Sequence, residues 1–186
     1  MSTVMTHPAT LEDLYNTEGK AELIGGRIVH YMATGIRPNA IAGNIYVSLR
    51  SYIARTRQGR TFTDNIGYAI PKLPSGRESF SPDASYYNGP MPANLMRFID
   101  GPPTFAVEVR SENSYAPSAE AKIAAKRDDY FAAGTLVVWD VDPLAETITC
   151  YRAATSTQPV IFRQGETADA EPAVPCWRID VAEVFA

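Results

Sequence analysis

Two apolar runs, FAVEVR (residues 105–110) and TLVVWDV (135–141), are joined by AEAKIAAKRDDYFAA (119–133), a segment rich in helix formers that ends at Gly134. This strand–helix–strand order constrains the chain more than any other feature. A helical crossover returns the chain to the end of the sheet where it began, so the two strands are expected to run parallel, with a right-handed connection. The second run is almost wholly apolar, as suits a buried strand. The first is not. Strand side chains alternate between faces, so Phe105, Val107 and Val109 point one way and Ala106, Glu108 and Arg110 the other. A carboxylate and a guanidinium therefore share one face of an interior strand, and that needs a reason.

The remaining segments fit round this unit. Thr10 and Asp13 predict a capped short helix over LEDLYN. AELIGGRIVHYM reads as an N-terminal β-hairpin turning at Gly25-Gly26. In residues 39–57, Ile41, Ile45, Leu49 and Ile53 recur every four positions, the stripe of an amphipathic helix. Arg50, Arg55, Arg57 and Arg60 load its far end. They read either as a solvated tail favouring the helix dipole or as a phosphate-contacting patch. Residues 60–70 and 80–88 each read as one strand, with a loop between them at 71–79 and a connector with a helical turn or two at 89–103. Residues 146–152 and 159–165 form a terminal pair of strands, and DVAEVF closes the chain as a helical turn. The order is that of an α/β fold with a mixed sheet, and 186 residues suggest one domain over 1–186.

Several classes are set aside. No apolar run approaches the length of a membrane span. The start, MSTVMTHPATLEDLY, has neither a basic n-region nor an apolar h-region, and secretion is not expected. Cys150 and Cys176 lack metal-ligand spacing and read as free thiols of a cytoplasmic protein. A net charge of −4 argues mildly against a tight nucleic-acid binder, though an acidic metal site would itself lower the balance.

A buried carboxylate is expensive unless it is paired or holds a metal. Glu108 alone is accounted for by a salt bridge to Arg110 or another base. Asp83, just after Pro82 and ahead of the next strand pattern, changes the argument. Two carboxylates on neighbouring strands can share one divalent cation, and hard oxygen donors suit Mg²⁺ or Mn²⁺. On the crossover helix, Lys126 shares a face with Ile123 and Tyr130, which are expected to pack on the sheet. It either joins the charges there or snorkels to the helix edge.

Proline-aspartate followed by the strand EVR resembles the PD-(D/E)XK nuclease superfamily, the restriction-endonuclease-like fold. In that pattern a strand aspartate and a Glu-x-Lys strand meet at one metal site. Here Arg110 stands at the lysine position, and a guanidinium does not readily give up a proton. The succession AELIGGRIV, SPDASYY, FAVEVRS, KRDDYFAAG and LVVWDVDP, closing with WRIDVAEVF, resembles more closely the Uma-type restriction endonuclease family. The resemblance covers nearly the whole chain. It implies a restriction-endonuclease-like mixed central sheet flanked by helices, with an N-terminal β-hairpin. In that family a lysine of the following helix, in a Lys-x-x-x-Tyr arrangement, replaces the missing strand lysine; Lys126 and Tyr130 match it. Tyr130 is expected to serve packing more than chemistry. Glu22 matches an auxiliary acidic position, with an edge-strand solubilising charge as the alternative. The family often begins its long helix with histidine, where this chain has Asn39.

The resemblance thus implies a Mg²⁺- or Mn²⁺-dependent endonuclease hydrolysing DNA phosphodiester bonds. Asp83 and Glu108 would hold the cation. Lys126 and Glu22 would serve the attacking water, and Arg110 and Asn39 would contact substrate. A homodimer is expected, since cutting both strands suits two-fold symmetry. The alternative is a catalytically silent nuclease-like scaffold working as an oligomeric binding or accessory module, favoured by the negative charge, Arg110 and Asn39.

Overall fold

The computed structural model describes residues 7–186. Residues 1–6, which carry the start of the single-domain range and the first part of the leader reading, lie outside the described residues. Helix α1 (Leu11–Tyr15) opens with the expected capping box: the Asp13 N–H donates to Thr10 Oγ1, and the Thr10 N–H donates to Asp13. Strands β1 (Ala21–Ile24) and β2 (Arg27–His30) pair as the predicted hairpin. Gly25 and Gly26 both hold positive φ, 60° and 68°, as a tight two-residue turn requires. Helix α2 (Ile36–Thr56) begins three residues earlier than its apolar stripe suggests. Pro38 sits in its first turn, where a missing N–H costs no helical hydrogen bond.

The central sheet has six strands. In chain order the strands that follow α2 are β3 (Arg60–Thr63), β4 (Tyr68–Ala69), β5 (Ser79–Phe80), β6 (Ala84–Tyr87), β7 (Ile99–Asp100), β8 (Phe105–Val109), β9 (Val137–Asp142), β10 (Thr147–Arg152), β11 (Val160–Phe162), β12 (Thr167–Asp169) and β13 (Arg178–Asp180). The sheet runs β11-β10-β9-β8-β6-β3. Helix α3 (Pro117–Ala133) crosses from β8 to β9, and these two strands are parallel, while the other pairs of the sheet are antiparallel. Helix α4 (Val181–Val184) is the expected closing turn. Gly134 caps α3 at φ 110°, in the left-handed region that favours glycine.

Two predicted strands are each broken in two. Residues 60–70 divide into β3, in the central sheet, and β4, in a small sheet with β5 and β7; the chain turns between them at Asn65, whose φ is 69°. Residues 80–88 divide likewise, β5 in the small sheet and β6 in the large one. Pro82, which has no N–H to give a ladder, marks the break. The 89–103 connector carries no helix; it supplies β7, parallel to β4.

The two sheet faces separate as strand alternation requires. On one, Phe105, Val107 and Val109 pack with Ile41, Ile45 and Leu49 of α2 and with Trp139 and Trp177; Ile53 is only partly buried there. On the other, Ala106 and Val138 pack with Tyr130 of α3, and with Tyr68 and Phe80 of the small sheet. Glu108 lies on this second face, so α3 and the hairpin can both reach it. Among the described residues no helix is long and apolar enough to cross a membrane.

Candidate active site

Asp83 stands just ahead of β6, beyond the pair Ala84↔Val107. Its N–H donates to the Val107 carbonyl at 3.0 Å, and its Oδ2 accepts the Val109 N–H at 2.8 Å. These two bonds bracket Glu108, so the fold fixes one carboxylate beside the other. Their proximity is felt in titration: burial pushes the Glu108 carboxyl above its ordinary value and the Asp83 charge adds to that, against the pull of Lys126 and Lys20.

Lys126 reaches the same point from α3. Its Nζ lies 2.8 Å from Glu108 Oε1 and 3.0 Å from Glu22 Oε1. Burial opposes the ammonium, but Glu108 and Glu22 together raise it above its ordinary value, so it stays charged. The lysine is drawn into the carboxylate cluster and does not snorkel to the helix edge. Tyr130, one turn on, donates to Glu108 Oε1 at 2.6 Å and stacks on Phe80 with ring centroids 4.0 Å apart. It therefore packs and orients at once.

Glu22 is fully buried, which overturns its reading as an edge-strand solubilising charge. Its Oε1 accepts the Ser81 N–H at 2.9 Å, and its Oε2 accepts the Tyr31 hydroxyl at 2.8 Å and pairs with Arg77. Arg77 is itself buried and also holds Asp129 at 2.8 Å. Burial pulls the Glu22 carboxyl upward, but Lys126 and Arg77 outweigh it and hold it down at about 2. Glu22 is thus an anionic hub that ties the hairpin to α3 and to the β5–β6 turn.

Arg110 is directed away from Glu108. It forks onto Asp140 of β9 at 2.8 and 2.6 Å and touches Glu120 of α3 at 3.0 Å. The salt bridge from Glu108 to Arg110 is therefore not the one formed; the base on Glu108 is Lys126. Asn39, in the first turn of α2, is exposed and lines a small cleft with Thr34, Pro38, Asp64 and Asp83. The structure thus brings Asp83, Glu108, Lys126 and Glu22 to one place, sets Asn39 on the rim, and ties Arg110 into a neighbouring ion pair.

Three residues of the cluster carry no assignment from the sequence: Lys20, Arg77 and Asp64. Lys20 lies 2.8 Å from Asp83 Oδ1 and 2.5 Å from Asp64 Oδ1. The alternation of Lys20-Ala21-Glu22 would have put Lys20 on the face of Glu22. Arg77 sits in the loop-like stretch 71–79, which carries no such signal, and Asp64 falls inside the run 60–70 that reads as one strand.

Among the described residues no three His, Cys, Asp or Glu side chains converge as a ready-made metal cage. The donor set still suits a divalent cation. Asp83 and Glu108 offer hard carboxylate oxygens from neighbouring segments, the Asp83 charge raises the Glu108 carboxyl against the pull of Lys126 and Lys20, and Oε2 of Glu108 lies outside the contacts that engage Oε1.

The model of the Uma2 family, described as "Putative restriction endonuclease", matches residues 8–182. Among solved structures, one described as "a putative nuclease belonging to DUF820" from Anabaena variabilis ATCC 29413 is similar, with a TM-score of 0.75 and 18% sequence identity. The match covers 96% of this chain and 98% of that one. At that identity the likeness speaks for the fold. No curated protein matches the chain.

Proposed function

The chain belongs to the Uma2 family, whose description is "Putative restriction endonuclease", and from that premise we propose that it is a Mg²⁺- or Mn²⁺-dependent endonuclease that hydrolyses DNA phosphodiester bonds as a homodimer. The observation that carries this reading is the cluster itself: Asp83 fixed against the β8 backbone on either side of Glu108, with the Lys126 ammonium 2.8 Å from Glu108.

Asp83 and Glu108 would hold the cation. When bound, such an ion polarises the phosphate and lowers the pKa of a bound water. The chain's own groups do the rest. Lys126, kept charged by its two carboxylates, offers a compact ammonium that can orient a water or offset the charge gathering on the phosphorus oxygens. Tyr130 holds Glu108 in place through its hydroxyl. Glu22 anchors Lys126, and through it the distance between helix and strand. Arg110 fixes β8 against β9 and α3 through Asp140 and Glu120, a positioning role. Asn39 stands at the cleft rim, where a substrate backbone would pass.

The test is cleavage of supercoiled plasmid DNA by the purified protein. Nicked and linear forms are expected to accumulate with Mn²⁺ or Mg²⁺ and to vanish with excess EDTA. A chain that takes up Mn²⁺ yet leaves single- and double-stranded DNA and RNA intact would instead be the silent scaffold.

A further inference from the structure

Lys20 has no part in the chemistry outlined above, yet it contacts the site more intimately than Asn39 does. Asp83 has two carboxylate oxygens. The Val109 N–H takes Oδ2, at 2.8 Å, which leaves Oδ1 as the oxygen free to meet a ligand. The Lys20 Nζ sits on that oxygen, at 2.8 Å. The same ammonium lies 2.5 Å from Asp64 Oδ1, and its side chain is only 17% exposed. The seat is built from both sides. The Lys20 carbonyl accepts the Tyr31 N–H at 2.9 Å, which pins the lysine's backbone to the hairpin, and the Asn65 N–H donates to Asp64 Oδ1 at 2.8 Å.

We infer that Lys20 is a tethered counter-cation of the metal site: its ammonium takes the place on Asp83 that a divalent cation would use, and Asp64 is where it withdraws when the cation arrives. The inference rests on the proposed metal-binding role of Asp83 and Glu108. An ammonium and a divalent cation cannot share one carboxylate oxygen without close like-charge repulsion. Without any cation, Asp83 and Glu108 would repel each other, so the lysine keeps the empty site assembled. The cost is that the ion must displace it. Lys20 therefore sets the divalent-ion concentration at which the site fills.

The test is Mn²⁺ affinity, measured by isothermal titration calorimetry on the full chain with no nucleic acid present. Losing one charge-assisted contact moves an equilibrium by about tenfold or more, so Lys20→Met is expected to bind Mn²⁺ about tenfold more tightly than wild type. Lys20→Gln, which keeps a polar group at the position, guards against a folding defect and is expected to move the same way. Lys20→Arg, which keeps the charge, is expected to stay close to wild type. Unchanged or weaker binding in both Lys20→Met and Lys20→Gln overturns the inference and leaves the metal site standing. Absence of Mn²⁺ binding in every chain, wild type included, overturns the metal reading itself and the inference with it.

Discussion

Lys126→Ala is expected to lower the turnover of DNA cleavage by about 10²-fold or more, the scale of losing one electrostatic stabiliser, while Mn²⁺ binding survives. Lysine is no metal ligand, and its ammonium lies within 3.0 Å of two carboxylates, Glu108 and Glu22. Removing it deletes the compact positive charge that α3 brings to the site, frees the Glu108 oxygen it held and leaves the surroundings of Asp83 unchanged. A circular-dichroism melt run beside the assay separates this loss from unfolding. Arg110→Ala should behave differently. Its guanidinium is spent on Asp140 and Glu120, so its removal should appear in the melt before it appears in turnover. If Lys126→Ala cleaves normally while Arg110→Ala is dead, the helix lysine is a bystander and the strand arginine carries the chemistry.

Arg77→Ala is expected to cost about 3–5 kcal/mol, the range for breaking a buried pair by removing one partner. Glu22 is fully buried and Arg77 nearly so. The substitution leaves Glu22 with Lys126 alone as cationic partner and strips Asp129 as well. At about 2–4 °C per kcal/mol for a chain of this size, the melting temperature should fall by roughly 6–20 °C. The same hub should be visible in pH. The folded Glu22 carboxyl is held at about 2, below its ordinary value of 4.5, so the unfolded chain binds the proton more readily. Its stabilisation is full above about pH 4.5 and is lost as pH falls toward 2. Glu108, shifted the other way, contributes with the opposite sign: its raised carboxyl favours the folded state more at low pH and less as pH rises through its folded pKa. Acid melts of wild type should therefore show falling stability between about pH 4.5 and 2, with a shallower slope in Arg77→Ala. A variant that melts within about 2 °C of wild type, less than 1 kcal/mol, would show that the hub does not hold the hairpin to the sheet.

What could be read from the sequence was what repeats locally. The four-residue stripe of α2, the alternation of β8 and the capped ends of α1 and α3 each signal through neighbours in the chain, and the parallel β8–β9 pair follows from the length of the crossover. The broken strands were not legible, because alternation runs on through Asn65 and Pro82 although the residues beyond belong to another sheet. The short pairs β4–β7 and β12–β13 carry too few residues to show a period. In the site, Glu108 could be named as a charge within an apolar strand, Lys126 as a charge on the packed face of its helix, and Asp83 by its place after Pro82 at the head of a strand. Arg77 could not, because its partner Glu22 lies 55 residues away and no local pattern links them. Glu22 is marked only by the family resemblance, and Lys20 becomes legible once Glu22 is placed, because alternation puts both on one face.

The measurement that bears most directly on the account is a crystal structure grown with Mn²⁺, with diffraction recorded at an energy where manganese scatters anomalously. One anomalous peak is expected in contact with both Asp83 Oδ1 and Glu108, with the Lys20 ammonium withdrawn to Asp64. A peak elsewhere, or Lys20 still seated on Asp83 in crystals saturated with Mn²⁺, would contradict it.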